Sequence, residues 1–397
     1  MLINSKVVSM HNSRLLAVLI IGLIINNSWL VLASENDQEI IYIDTEPCDY
    51  YGNFSFNSTA ANESVHWQVG LGPRLPGSNA SFMLRESIKE NLTDWTFEEE
   101  THYREDFNLT NLIATYKPVN SSSQEIYFVA HYDSRDRAER DDNESLRDTP
   151  IDGANDGASA TAVLIEMGKI IPQMKLNHSV KLFFTDAEDQ GERPGIYGSK
   201  AWAENRTDDE ISNISAFIVI DMIGDADLHF THVWPGTSEL WLTIQPLAEA
   251  LGLVEGKADC LGNPGENVFD IETSYGVIDD HVAAFERGVP AIDIIDIHSG
   301  EGAEKWGGYW HTHNDTIDKV SSESLGRIGQ LLELGLLSES WLLDSDNFNQ
   351  TLEVQENSDE SEKTTIENSF TLGLISLSIT FGLFLVIFIL DYRIKKI

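Results

Sequence analysis

Short apolar runs that stop abruptly at an acid or a histidine limit the folds open to this sequence. Lys181-Leu-Phe-Phe-Thr185 leads into Asp186-Ala-Glu188-Asp189 and a glycine turn. Ala216-Phe-Ile-Val-Ile220 leads into Asp221-Met-Ile-Gly, and Glu125 to Ala130 leads into His131-Tyr-Asp133-Ser. A continuously apolar strand needs cover on both faces, which is the situation of a parallel sheet between helices. Further strands are expected over Leu109 to Tyr116 and Pro290 to Ile297, with helical spacing over Ser81 to Leu92, Thr161 to Ile171, Ser199 to Asn205, 238–252 and Ser322 to Leu343. The alternation predicts a single α/β domain with a largely parallel sheet between helical layers. In such sheets ligands gather at the carboxyl ends of strands, where these motifs fall.

The flanks read differently. Residues 15–26 are apolar, follow Lys6 and Arg14 and precede Ala33-Ser34, the layout of a signal peptide over 1–34. Residues 35–63 are polar and predict a flexible lead-in to a catalytic domain over 64–343. The charged, aperiodic stretch 134–150 reads as a surface loop. Residues 344–369 predict an acidic stalk, 370–390 a transmembrane helix and 391–397 a basic cytoplasmic tail. The expected localisation is therefore export, with the catalytic domain anchored outside by one C-terminal helix. Sequons at Asn53, Asn57, Asn62, Asn91, Asn108 and Asn205 would then suit a glycoprotein. A net charge of −39 argues against a nucleic-acid partner, because phosphate binding needs a basic face. Cys48 and Cys260 allow at most one bridge, and two free thiols are an equal alternative.

The chemistry sits at the strand ends. Zinc takes nitrogen and carboxylate oxygen ligands, and Asp156, Asp189 and His311 supply one such set from three separate loops. The pattern His131-x-Asp133 adds a histidine with an acid placed to orient it. Glu188 is the free carboxylate beside a ligand, suited to move protons. Asp221 and Asp280 end apolar segments, where an acid needs a partner, and Trp310 beside His311 suits core packing or a pocket wall equally.

His131-Tyr-Asp-Ser, Gly153-Ala-Asn-Asp156, Asp186-Ala-Glu188-Asp189, Asp221-Met-Ile-Gly, Asp279-Asp280-His281 and Trp310-His311-Thr together resemble the zinc-dependent M28 peptidase family, in order over residues 65–342. The resemblance implies a three-layer αβα sandwich with a mixed, mostly parallel sheet. The family holds aminopeptidases and glutaminyl cyclases. For an aminopeptidase it implies two zincs, one of them on His131, Asp156 and Asp221. For a cyclase it implies one zinc on Asp156, Asp189 and His311, with Glu188, Asp221 and Asp280 as catalytic groups and Trp310 lining the substrate pocket. The Ala-Glu-Asp form of the acid pair, Gly198-Ser-Lys-Ala-Trp202 and Tyr309-Trp310-His311-Thr-His313 are similar to bacterial-type cyclases. Ala160 departs from the family's usual Gly, and Asp189 from its commoner Glu, which shortens that ligand arm by a methylene.

The expected activity is a zinc-dependent glutaminyl-peptide cyclotransferase that turns the N-terminal Gln of a peptide or protein into pyroglutamate with release of ammonia. The alternative is a dizinc aminopeptidase. An inactive membrane-anchored binding ectodomain is a remote third, and it predicts a broken metal or base set.

Overall fold

The computed structural model describes residues 42–43, 45–191 and 195–343. Helices α1 (Ser58–Gly70) and α2 (Asn79–Asn91) precede strands β1 (Thr96–Arg104), β2 (Phe107–Tyr116) and β3 (Glu125–His131). Then come α3 (Ala158–Ile170), β4 (Ser179–Thr185), α4 (Tyr197–Asn205), α5 (Asp208–Ile211) and β5 (Ile214–Asp221). The chain continues through β6 (Phe230–Trp234), α6 (Ser238–Leu242), α7 (Ile244–Ala250), β7 (Phe269–Gly276), α8 (His281–Phe285), β8 (Ala291–Ile295) and α9 (Ser322–Leu337).

The main sheet has the order β1-β2-β4-β3-β5-β8. From β4 to β8 all neighbours are parallel, and β1 and β2 add an antiparallel edge. The apolar runs are double-faced as their composition requires. Phe128, Leu182 and Ile218 point into the core shared with α3 and α9. Their neighbours Val129, Phe183 and Phe217 point the other way, onto Trp202 of α4 and Ala283 of α8. The result is the expected three-layer αβα sandwich. After β3 the chain builds β4 on one side and then crosses back to build β5 on the other. That reversal opens a crevice at the carboxyl ends of β3, β4 and β5.

Of the elements that escaped the sequence, two show the physical reasons. Strand β1, Thr-Phe-Glu-Glu-Glu-Thr-His-Tyr-Arg, is a mostly exposed edge strand, so it carries charge where a central strand carries an apolar face. Helix α1 buries only Ala61, Val65 and Gln68, too small a stripe to stand out. It starts inside the stretch expected to be flexible, and that expectation is corrected from Tyr42 onward. Tyr42 forms a β-bridge with Leu343, and Glu333 of α9 accepts the backbone N–H of Ser55 at 2.8 Å and of Phe56 at 2.9 Å. Cys48 and Cys260 are bridged, closing a separation of 212 residues. A crosslink of that span stabilises a fold by about 2–4 kcal/mol, chiefly by restricting the unfolded chain.

Helix α9 stops at Leu337, short of the expected Leu343. Glu339 takes a left-handed φ of 56°, and the N–H groups of Glu339 and Ser340 return to the carbonyls of Leu336 and Gly335. These bonds form the 5→2 and 6→1 pair that ends a helix, and they fold the buried Trp341 back onto Gly335.

The expected localisation is also corrected. Among the described residues no helix is long and apolar enough to cross a membrane. The segments expected as signal peptide, stalk, transmembrane helix and basic tail lie outside the described residues.

Candidate active site

Each site residue leaves the sheet at a strand end or from a loop folded over it. His131 closes β3, and Gly157, with φ of 90°, lets the next loop pass against it. A Cβ at Gly157 would lie 2.9 Å from His131 Cε1 and 2.6 Å from the Asp133 carbonyl oxygen. That loop carries Asp156, whose backbone N–H donates to Asp315 at 3.1 Å, while Asn155 N–H donates to the other Asp315 oxygen at 2.8 Å. After β4, Ala187 adopts φ of 56°, and Met222 after β5 adopts φ of 46°. His311 itself sits at φ of 54°. Left-handed backbone is costly for these side chains and gathers where a site must aim its groups.

Asp133 holds the acid loop in place. Its carboxylate accepts the N–H of Glu188 at 3.1 Å, the N–H of Asp189 at 3.3 Å and the Gln190 side-chain amide at 2.8 Å. It also lies 3.5 Å from His131 Nδ1.

Two donor triads share Asp156. In one, His131 Nε2 lies 3.1 Å from Asp156 Oδ1 and 3.1 Å from Asp221 Oδ1. In the other, His311 Nε2 lies 3.6 Å from Asp156 Oδ2 and 3.2 Å from Asp189 Oδ1. Within each triad the ligand atoms lie within 4.8 Å of one another. The donors suit zinc, which takes imidazole and carboxylate ligands in catalytic sites. The buried Asp189 Oδ2 has no hydrogen-bond partner, as a ligand atom facing a metal would.

His311 has a built support that the sequence did not reveal. Its Nδ1 lies 2.8 Å from Glu139 Oε1, and Arg135 donates to both Glu139 oxygens at 3.2 and 2.9 Å. Arg135 also donates to the Asp189 carbonyl oxygen at 2.7 Å. Burial works against the His311 charge, yet Asp189, Glu139 and Asp156 raise its pKa to about 9. Burial likewise opposes the Glu139 carboxylate, but His311 and Arg135 lower it to about 2. The loop expected as mere surface therefore orients a site histidine. Its signal was the Arg135-x3-Glu139 spacing directly after a strand-end motif.

The triads border a cavity of about 330 Å³, lined in part by Asp156, Glu188, Asp189, Asp221, Trp310 and His311. Burial first, then the Asp279, Asp189 and Asp280 carboxylates, push Glu188 well above the usual carboxylate range. Trp310 stacks on His311 with ring centres 3.9 Å apart. Of the acids after β7, Asp279 reaches the cavity wall and Asp280 does not. Asp280 is fully buried and accepts a hydrogen bond from the Thr185 hydroxyl. The sequence reading named Asp280 of this pair; the helix begins at His281, and it is Asp279 that lines the cavity. Burial and Asp221 raise Asp279 to about 7, and burial and Asp279 raise Asp280 equally, to about 7.

Known proteins bear on this arrangement. Residues 111–334 match Peptidase family M28. The glutaminyl-peptide cyclotransferase of Boiga dendrophila is 24% identical over 323 residues, covering 70% of this chain and 82% of the relative. The glutaminyl cyclase of Porphyromonas gingivalis superposes with a TM-score of 0.62 at 26% identity, over 72% of this chain and 98% of the other. A Zn-dependent exopeptidase from Parabacteroides distasonis gives 0.60 at 26% identity, over 72% and 99%. Fold, strand-end donors and a match across more than half the sequence agree, and the chain belongs to the M28 peptidase family.

Proposed function

We propose that this chain is a zinc-dependent glutaminyl-peptide cyclotransferase acting on peptides or proteins that begin with Gln. The observation that carries the reading is the unequal placement of the two triads. Asp156, Asp189 and His311 all line the cavity with Glu188 and Trp310, whereas His131 is not on its wall. Asp156, Asp189 and His311 would hold one zinc, whose chemistry there would be Lewis-acid polarisation of the substrate's side-chain carbonyl.

The chain's own groups do the rest. The acid-lined pocket holds the substrate's α-amine and side-chain amide close together, so the attack is intramolecular and its orientation is set by binding. Trp310 walls the pocket, and its stacking on His311 keeps water from one face. Glu188, whose proton affinity is raised by burial and the neighbouring acids, takes a proton from the amine as the new C–N bond forms. It returns that proton to the side-chain nitrogen, which leaves as ammonia when the old C–N bond breaks. Asp279, which unlike Asp280 reaches the cavity wall, raises the proton affinity of Glu188 by its charge. Asp221 keeps His131 turned toward Asp156.

A second reading has its own support. His131, Asp156 and Asp221 can hold a second metal, and an exopeptidase shares the fold. Mass spectrometry of the zinc-loaded full chain with a Gln-first and a Leu-first peptide separates the two. Loss of about 17 Da from the Gln peptide alone, one ammonia by the cyclisation above, supports the cyclase. Removal of one residue from the Leu peptide would instead make it an aminopeptidase.

A further inference from the structure

Beside the active-site mouth lies a second groove of about 450 Å³, whose walls include Arg140, Arg147, Trp306 and Trp310. Trp306 and Trp310 also line the active-site cavity, so one aromatic wall serves both spaces. Their rings lie 4.8 Å apart. The Arg140 guanidinium sits 4.6 Å above the Trp310 ring and donates to the Trp306 carbonyl oxygen at 3.1 Å. It is thus fixed on the ridge between cavity and groove while staying exposed to solvent.

The pairing of this arginine is unusual for the molecule. The sequence holds 65 acids against 26 lysines and arginines, and nearly every described arginine has a carboxylate partner. Arg74 is the buried exception, with its guanidinium on three carbonyl oxygens. Among the described residues no carboxylate lies within ion-pair distance of Arg140. Arg147 has only a loose pair, with Glu144 at 3.9 Å. Glu139 also lines the groove, but its oxygens are held by Arg135 and His311. A chain of net charge −39 repels acidic ligands at long range, so a cationic ridge here is a local exception.

We propose that Arg140, aided by Arg147, is a specificity determinant that takes a carboxylate of the substrate just after its first residue. The inference rests on the reading that the cavity receives a peptide's N-terminal residue. The Trp306–Trp310 ridge is a wall of that cavity, and next residues leaving over it meet Arg140. The carboxylate is either an acidic side chain at the second or third position or the C-terminus of a short peptide.

The test compares kcat/KM of the zinc-loaded full chain for Gln-Glu-Ala-amide against Gln-Gln-Ala-amide, and for Gln-Ala-Ala as free acid against its amide. A preference of about five- to tenfold for the carboxylate member is expected in at least one pair, and the pair that shows it identifies the source. The preference should shrink as ionic strength rises. Arg140→Gln should bring the ratio toward one, and Arg147→Gln should lower it less. The ratio is the readout, because Arg140 also packs on Trp310. Calorimetric affinities of the same peptides for zinc-loaded Glu188→Gln give a reading without turnover. Cyclisation with no preference in rate or affinity would overturn this inference alone. Preferential binding without cyclisation would keep it and overturn the proposed reaction. Peptides that neither bind nor react would overturn both.

Discussion

The two triads that share Asp156 use the same residue types and are built differently. Around His131, Nε2 is 3.1 Å from both Asp156 and Asp221, and the ring is itself off the cavity wall. Around His311 the arrangement is held from outside, by Glu139 and Arg135, and its remaining atoms face the cavity. Both histidines set Nε2 between two carboxylates, and the difference lies at Nδ1: Glu139 holds His311 at 2.8 Å, whereas Asp133 stands 3.5 Å from His131 and is engaged with the acid loop. The contrast teaches that a donor list is not a metal count. The proposal of a single metal at His311 rests on its firmer outer support and on its place at the cavity wall.

The sharpest way to break this comparison is to remove one ligand from each side. Asp189→Ala should cost on the order of a thousandfold or more in kcat/KM together with the bound zinc. His131→Gln should cost about ten- to a hundredfold and keep the zinc, since it acts through its neighbours. Kinetics with elemental analysis of the purified variants reads both, and equal losses would erase the distinction.

Glu188→Gln should retain zinc and melting temperature while turnover falls by about 10²- to 10⁴-fold. Next, Asp279→Ala should reduce kcat about a hundredfold, whereas Asp280→Ala should mainly reduce stability, by about 1–3 kcal/mol, because it strips the Thr185 hydroxyl of its buried acceptor. Denaturant melts beside rate measurements separate these effects. A smaller change is expected from Glu139→Gln, about ten- to a hundredfold in zinc affinity, read by competition with a chelator.

The pH dependence of the metal-free chain refines the picture further. His311 has a folded pKa of about 9 against an ordinary 6.5, so its contribution is complete below pH 6.5 and disappears as pH rises through 9. Glu139, lowered to about 2 from 4.5, contributes above pH 4.5 and is lost as pH falls through 2. In denaturant melts of the chelated protein His311 should account for roughly 3 kcal/mol of the stability change as pH rises through 6.5 to 9, and His311→Gln should remove that part of the slope.

Much of this was legible before any coordinates. Continuous apolar strands such as Ala216 to Ile220 announce a sheet covered on both faces, and the motifs at their ends announce where a site assembles. Asp156, Glu188, Asp189, Asp221, Trp310 and His311 do meet at one cavity. Position along a strand is readable because burial repeats along it. Rotation about a loop is not, which is why Asp280 was preferred to Asp279. Glu139 was hidden for a related reason: its loop has no apolar period, and what it does depends on a contact 172 residues away. The polar stretch before α1 reads as free because its ties are backbone hydrogen bonds to Glu333, a disulfide and scattered apolar anchors such as Phe54 and Phe56, none of which leaves a periodic hydrophobic pattern.

The most direct test is a zinc titration of the metal-free full chain while formation of pyroglutamate from a Gln-first peptide is followed. The account predicts that activity rises with the first equivalent of zinc and is complete at one per chain. Activity that appears only with the second equivalent, or release of Leu from a Leu-first peptide in its place, would contradict it.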